Sequence, residues 1–180
     1  MKGVKKYLFL MAVVAALFGF VACSSGDDGA SEVAVYARKV YKGNVELYTE
    51  TLTLYDNDTF ETVVTLDGEE YTVATGTYEG DVTKNTSKNN PVTTTIEEYG
   101  YFDEDEEDFV LLSIEDYSEY LIRDLLGDKE VDSYTDAKLD ALIEDWIETY
   151  FTDVEVTIEG DKLTIPGNYF SSEKIYTKQY

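Results

Sequence analysis

The stretch LTLYDNDTFETVVTLDGEEYTVATGTYEGD, residues 52–81, decides the fold. Within it Phe60, Thr62, Val64 and Leu66 occupy every second position, the period of a strand that turns one face inward. The alternating runs are separated by residues that tolerate a positive φ or bond their own backbone, at 56–58 (DND), 67–68 (DG) and 80–81 (GD). This stretch therefore predicts antiparallel strands joined by tight turns.

The same two-residue period recurs along most of the chain. It predicts a strand at 59–66 and further strands near 33–41, 45–55, 70–79, 92–102, 109–114, 153–158, 162–165 and 173–178. In the run 45–55 the apolar phase slips, from Val45 and Leu47 to Leu52 and Leu54. Because a slip of one residue turns every side chain to the other face, we expect a bulge or bend around residues 49–51.

Two segments follow the helical period instead. Residues 136–150 place apolar side chains at helical spacing, with Trp146 in the middle of the stripe, and predict an amphipathic helix. A shorter helix is predicted near 116–126, before Gly127. The run FVLLSI at 109–114 is apolar on both faces, so we expect one face to point into the core and the other to lie under a helix.

These elements predict a mainly antiparallel, all-β fold with one helical insertion. A closed barrel of about 8–9 strands is favoured, because closure removes the exposed edges that a long open sheet leaves. The inserted helical segment covers about 116–150. Eight strands enclose an interior just wide enough for side chains or for one small ligand, so the strand pattern leaves open whether the barrel is solid or hollow.

Two short patterns carry a resemblance to a known family. The run at 52–81, with its Asn-Asp turn and GTY sequence, resembles small lipocalin-like lipoproteins of bacteria, and VTIEGDKLTIPG (156–167) with KIYTK (174–178) is similar to their closing strands. The resemblance implies a cup-shaped barrel that holds a small apolar molecule or serves as a binding platform. It also implies that the one cysteine belongs to a lipid anchor.

The alternating runs nominate residues for the inner face of such a barrel. The inward candidates for ligand binding are Phe60, Val64, Tyr71, Val73, Phe109, Leu111, Val154 and Val156. For Phe109 and Leu111 the alternative is that they form the face under the helix. The many tyrosines of the strands suit a partly solvated pocket, because each has an apolar ring and one polar tip, but tyrosine also fits the exposed faces of a very acidic barrel.

The N-terminus indicates where the protein is located. Three lysines precede an apolar run at 7–22, which ends in Ala22 directly before Cys23, the only cysteine of the chain. Phe20-Val21-Ala22-Cys23 resembles the lipobox of bacterial lipoproteins, which implies cleavage before Cys23 and lipidation of its thiol by diacylglycerol and of the new amino terminus by a fatty acid such as palmitate. As a helix the apolar run is about 24 Å long, too short for a hydrocarbon core of about 30 Å.

The expected cleavage before Cys23 determines the predicted domain organisation. Residues 1–22 are predicted to be the signal peptide, and 23–32 a polar, flexible tether that includes Asp27 and Asp28. One β-barrel domain then covers 33–180. We expect a protein anchored by lipid to the outer membrane of a bacterial cell envelope, and the acidic pair leaves open whether it faces the periplasm or the cell surface.

Charge and composition exclude several functions. The chain has 14 basic and 38 acidic residues, and removal of 1–22 leaves 11 basic residues and a net charge of −27. Repulsion therefore excludes nucleic acid as a partner. The chain has no histidine, which removes the common nucleophile-activating triads and histidine-ligated metal sites. No cofactor motif and no metal site are predicted, and we expect no enzyme.

Two functions remain open on the sequence alone. The first is a lipid-anchored extracytoplasmic binding module, with a small apolar ligand in a hollow barrel. The second is a surface interaction or adhesion lipoprotein with a solid barrel, whose loops contact an envelope or host protein or a glycan.

Overall fold

A computed structural model of the chain describes residues 30–103, 108–167 and 172–179. The predicted signal peptide, Cys23 and most of the tether lie outside the described residues. The strands are β1 (Glu32–Lys42), β2 (Val45–Tyr55), β3 (Thr59–Leu66), β4 (Glu69–Glu79), β5 (Val92–Asp103), β6 (Asp108–Ser113), β7 (Val154–Glu159), β8 (Lys162–Ile165) and β9 (Lys174–Lys178). All nine strands and the hydrophobic core belong to the compact unit Ser31–Tyr180.

Eight of the strands form a closed barrel in which every neighbouring pair is antiparallel. The hydrogen-bonded order β4-β3-β2-β1-β9-β8-β7-β5 closes on itself, because β4 also pairs with β5. The ninth strand, β6, lies outside this ring and pairs only with the C-terminal half of β5, where Glu98–Asp103 pairs with Asp108–Ser113. The N-terminal end of β5, residues 92–94, pairs with β7 instead. The prediction of a lipocalin-like barrel with about eight or nine strands is confirmed.

Three helices connect β6 to β7. They are α1 (Ile114–Leu126), α2 (Asp128–Val131) and α3 (Asp136–Tyr150), of which the sequence predicted the first and the third. The Ser113 hydroxyl caps α1 by accepting from the Asp116 N–H at 3.2 Å, and α1 ends at Gly127, whose φ of 86° no longer continues the helix. No helix of the described residues is long and apolar enough to cross a membrane.

The predicted helix α3 is present, but it docks without burying any residue completely. None of the residues of α3, all of which the structure describes, is fully buried, and Trp146 is only half-buried. Its ring meets Tyr150 edge-on, with the centroids 5.9 Å apart. The reason is that α3 packs against α1, which itself rests on β5 and β6, so a helix rather than the sheet covers the stripe of α3.

The irregularity in β2 also lies elsewhere than expected. Residues 49–51 pair regularly with both neighbouring strands, and the register shifts instead between Val40 and Tyr41 of β1, opposite Leu47. The prediction of a bulge at 49–51 is therefore wrong by a few residues. Glu50 continues the inward phase of Leu52 and Leu54, so the apolar alternation is interrupted there by a buried acid.

Candidate functional site

The barrel encloses a cavity of about 310 Å³. One end is lined by apolar side chains from five elements of the barrel and its loops, among them Leu54, Phe60, Tyr78, Val82 and Val92. The core residues of β2, β3 and β4 reach this space because inward positions alternate along each strand. This end of the cavity is therefore an apolar pocket.

The other end is bordered by the helical insertion and by the segment before β9. Tyr117 and Leu121 of α1 line it, together with residues 149–154 and 165–167. Because β7 begins only at Val154, the next part of β5 bonds to the chain leaving α3: the Ile96 N–H donates to the Phe151 carbonyl at 2.8 Å. The insertion is thus fixed to the rim of the cavity by backbone hydrogen bonding.

Aromatic rings connect the insertion to the barrel wall. Tyr99 of β5 stacks on Tyr117 of α1 at a centroid distance of 4.7 Å, and Tyr117 meets Phe151 edge-on at 6.2 Å. All three side chains line the cavity. Burial raises the pKa of Tyr117, so its hydroxyl stays protonated across the ordinary pH range. These three rings form an aromatic, uncharged part of the wall at this end.

A buried acid lies on the inner wall of the barrel. Glu50 of β2 is 2% exposed and accepts hydrogen bonds from three side chains. Its Oε2 accepts from Arg38 Nε at 2.7 Å and also from Arg38 Nη2; its Oε1 accepts from Lys174 Nζ at 3.0 Å and from the Tyr176 hydroxyl at 2.7 Å. Glu50, Lys174 and Tyr176 line the cavity. We call Arg38, Glu50, Lys174 and Tyr176 the Glu50 cluster.

The cluster holds its members in defined protonation states. Burial by itself raises the pKa of Glu50, but the charge of Lys174, the hydrogen bond from Tyr176 and the charge of Arg38 together hold it below its ordinary value. Burial, followed by the charge of Glu50, raises the pKa of the Tyr176 phenol. Burial lowers the pKa of Lys174, but its interactions with Tyr99 and then with Glu50 raise it overall. At neutral pH the cluster therefore contains one anion and two cations.

The predicted binding residues are distributed unevenly. Phe60, Val73, Val154 and Val156 line the cavity. Val64 is buried next to Glu50 in the sheet but does not line the cavity. The rings of Tyr71 and Phe109 contact each other at 5.1 Å between β4 and β6, outside the lining.

Leu111 requires a correction. It was an inward candidate, with the face under the helix as the alternative, but the residue is 37% exposed and does not line the cavity. The physical reason is that β6 pairs only with the C-terminal half of β5 and extends beyond the closed ring of strands, so its residues do not face the barrel interior.

The Glu50 cluster was missed because its members look like surface residues in the sequence. Glu50 lies between Thr49 and Thr51, and Lys174 belongs to the basic run KIYTK. The one signal was the phase slip in β2, which marks the position where an inward residue is polar. The partners are far apart in the chain, 12 residues for Arg38 and 124 for Lys174, so no local pattern joins them.

Comparison with known proteins adds no relative. No protein-family model matches the sequence, and neither a curated protein nor a solved structure matches the chain. The barrel and its cavity are therefore the features from which a function can be inferred.

Proposed function

We propose that this protein is a lipid-anchored extracytoplasmic binding module that holds one small apolar ligand in its barrel. The observation that supports the proposal is the cavity of about 310 Å³, apolar at one end and with convergent polar groups on its wall. Ligand sites are typically pockets of about 300–1,000 Å³ with mainly apolar walls and a few placed polar groups. The cavity lies at the lower limit of this range, which favours a small ligand.

Binding is favoured over catalysis by the state of Glu50, the buried acid among the described residues. Each carboxylate oxygen of Glu50 already accepts two hydrogen bonds, and its pKa lies below the ordinary range. A general base near neutral pH needs a raised pKa and a free lone pair. Glu50 has neither, so we propose that the cluster shapes the site and does not transfer protons.

Cavity filling tests the proposal. The chain without residues 1–22, which retains the whole compact unit, should bind an apolar fluorescent probe with a stoichiometry near one. Ala74 lines the cavity, so Ala74→Phe should place a ring inside it and reduce probe affinity at least about tenfold. Val64→Trp is a weaker test, because Val64 does not line the cavity. Binding is measured by titration and the intact complex by native mass spectrometry.

The control for cavity filling is Thr77→Phe. Thr77 lies on the same strand and outside the cavity lining, so the same ring added there should leave probe binding unchanged. Equal binding by the unaltered chain and by folded Ala74→Phe would contradict the cavity as the site.

The lipid anchor has its own test in the full-length chain. Cys23→Ala should abolish the incorporation of labelled palmitate and move the protein from the membrane fraction to the soluble fraction. Cys23→Ala removes the only thiol, so any remaining label would be attached elsewhere. Unchanged labelling and sedimentation in the variant would rule out the lipoprotein proposal.

The alternative is a surface interaction lipoprotein, and one surface favours it. Tyr41, Val45 and Leu47 are exposed apolar residues at the hairpin between β1 and β2, and Ile175 of β9 is exposed as well. Exposed apolar residues that lie together can mark a protein contact. A chain that binds no probe, but loses a partner contact when Val45 and Leu47 are changed to Ser, would favour this second function.

A further inference from the structure

We propose that the ligand has one carboxylate, and that Lys174 binds this head group while the apolar cavity encloses the rest of the molecule. The inference rests on the proposed function, because it names the chemical class of the ligand for the same cavity. It follows from the charge balance of the Glu50 cluster, from the hydrogen-bonding capacity of Lys174, and from the polarity of the two ends of the cavity.

The charge balance of the cluster leaves one positive charge uncompensated. Arg38 and Lys174 are both ion-paired with Glu50, so two cations share one anion. The guanidinium and the ammonium are only 22% exposed at the side chain, and water therefore compensates them incompletely. The other acid that lines the cavity, Asp153, is exposed at the rim and does not enter the cluster. A bound anion would neutralise this part of the wall.

Lys174 has the capacity to bind that anion. An ammonium has three N–H donors, and among the described residues Nζ of Lys174 donates to Glu50 alone. Lys174 lines the cavity, whereas Arg38 does not, because the Arg38 guanidinium lies over the ring of Tyr176 at 5.4 Å. Glu50 accepts four hydrogen bonds and has little capacity for a further donor. The group that can bind a ligand head is therefore a cation.

The rest of the cavity suits an uncharged tail. Leu54 lies four residues beyond Glu50 on the same inward face of β2, roughly 13 Å away at about 3.3 Å per residue. Over that distance the lining is mainly apolar, with Leu52, Leu54 and Phe60, and Thr62 adds one hydroxyl. A cavity with one charged end and one apolar end fits an amphiphile with a single polar head group. Because the Glu50 cluster has a net positive charge, we expect that head group to be an acid.

The net charge of the whole protein favours ligands of the opposite charge to the one proposed, so it cannot by itself produce a preference for an acid. The chain has a net charge of −24, so long-range attraction favours cationic ligands over anionic ones. Near 0.15 M salt the screening length is about 8 Å, and the surface charges then contribute little to a buried site. A preference for an acid at this salt concentration would report the local charge of the cavity.

A head-group series tests the inference on the chain without residues 1–22. Decanoate, 1-decanol and decylamine share one tail and differ in charge, and titration calorimetry at physiological salt gives the affinity of each. We expect decanoate to bind most tightly, with a stoichiometry of one. Lys174→Met should weaken decanoate by roughly 10- to 100-fold, the effect of one charge-assisted hydrogen bond, and leave 1-decanol unchanged. The matched control is Lys162→Met, an exposed lysine on β8.

The possible results separate the two proposals. If all three compounds bind equally, or if decylamine binds most tightly, the carboxylate inference is wrong and the cavity function stands. If decanoate binds most tightly but Lys174→Met has no effect, Lys174 is not the head-group contact. If none of the three binds, the proposed function fails together with the inference. Lys174→Met keeps the neutral Arg38–Glu50 pair, and the head-group ranking of the unaltered chain decides the question even if the variant does not fold.

Discussion

Replacing Gly76 by alanine is expected to lower the free energy of unfolding by at least about 4 kcal/mol. A Cβ at this position would lie 2.0 Å from the carbonyl oxygen of Thr95 and 2.8 Å from Cε1 of Phe60. The first of these atoms belongs to the backbone of β5, so no side-chain rotation relieves the overlap. The strands β4 and β5 have to move apart or change register, which exceeds the usual cost of overpacking a core.

The location of Gly76 makes this overlap costly for the whole fold. Pairing of β4 with β5 is the contact that closes the barrel, and its register shifts between Thr75 and Gly76. Urea unfolding monitored by circular dichroism gives the difference in stability. The matched control is Gly43→Ala, where a Cβ has open space and only the φ of +65° costs energy, about 1 kcal/mol. Equal losses in the two variants would show that closure at Gly76 tolerates a side chain.

The strands and turns of this barrel were predictable because they are encoded locally. Alternation identified the strands from β1 to β9, and Asp and Gly marked the tight turns, where Asp58, Asp67 and Gly160 do adopt positive φ values of 64°, 57° and 63°. Gly127 likewise marked the end of α1. Such signals involve neighbours in sequence, and no tertiary information is needed to interpret them.

The interior could be predicted only in part, because it depends on distant residues. Alternation placed Phe60 and Val156 inward, where they line the cavity, but it assigns a charged residue such as Glu50 to the surface. The compensation for burying Glu50 comes from Arg38 and Lys174 on other strands, and only the closed barrel brings them together. In the same way, the half-burial of Trp146 depends on a helix-on-helix contact that the stripe of α3 does not specify.

Replacing Glu50 by glutamine should destabilise the protein by about 3 kcal/mol at neutral pH. Removing one partner of a buried ion pair typically costs about 3–5 kcal/mol, because the remaining charge stays buried without compensation. Here two cations remain, but each is 22% exposed at the side chain, which places the expected loss at the lower end of that range. Glutamine is the closest replacement in shape: its Oε1 can still accept from Lys174 and Tyr176, whereas its Nε2 cannot accept the hydrogen bonds from Arg38, so that acceptor is lost together with the charge.

A surface pair on the same strand provides the matched control. Glu46 of β2 pairs with Lys39 at 2.9 Å, and both side chains are largely exposed. Exposed ion pairs contribute about 0–1 kcal/mol, so Glu46→Gln should be nearly neutral in the same urea titration. The difference between the two variants isolates the effect of burial, because strand, residue type and substitution are shared.

The pH dependence then identifies charge as the cause of the loss at Glu50. Because Lys174, Tyr176 and Arg38 hold the pKa of Glu50 below its ordinary value of 4.5, the stability contributed by the carboxylate is present above pH 4.5. It is lost as the pH falls through the folded-state pKa, when the unaltered protein must bind a proton that glutamine never binds. The stability gap between the two proteins should therefore be full at pH 7 and shrink below pH 4.5. A gap that stays constant down to pH 3 would assign the loss to packing and remove the electrostatic account of the cavity wall.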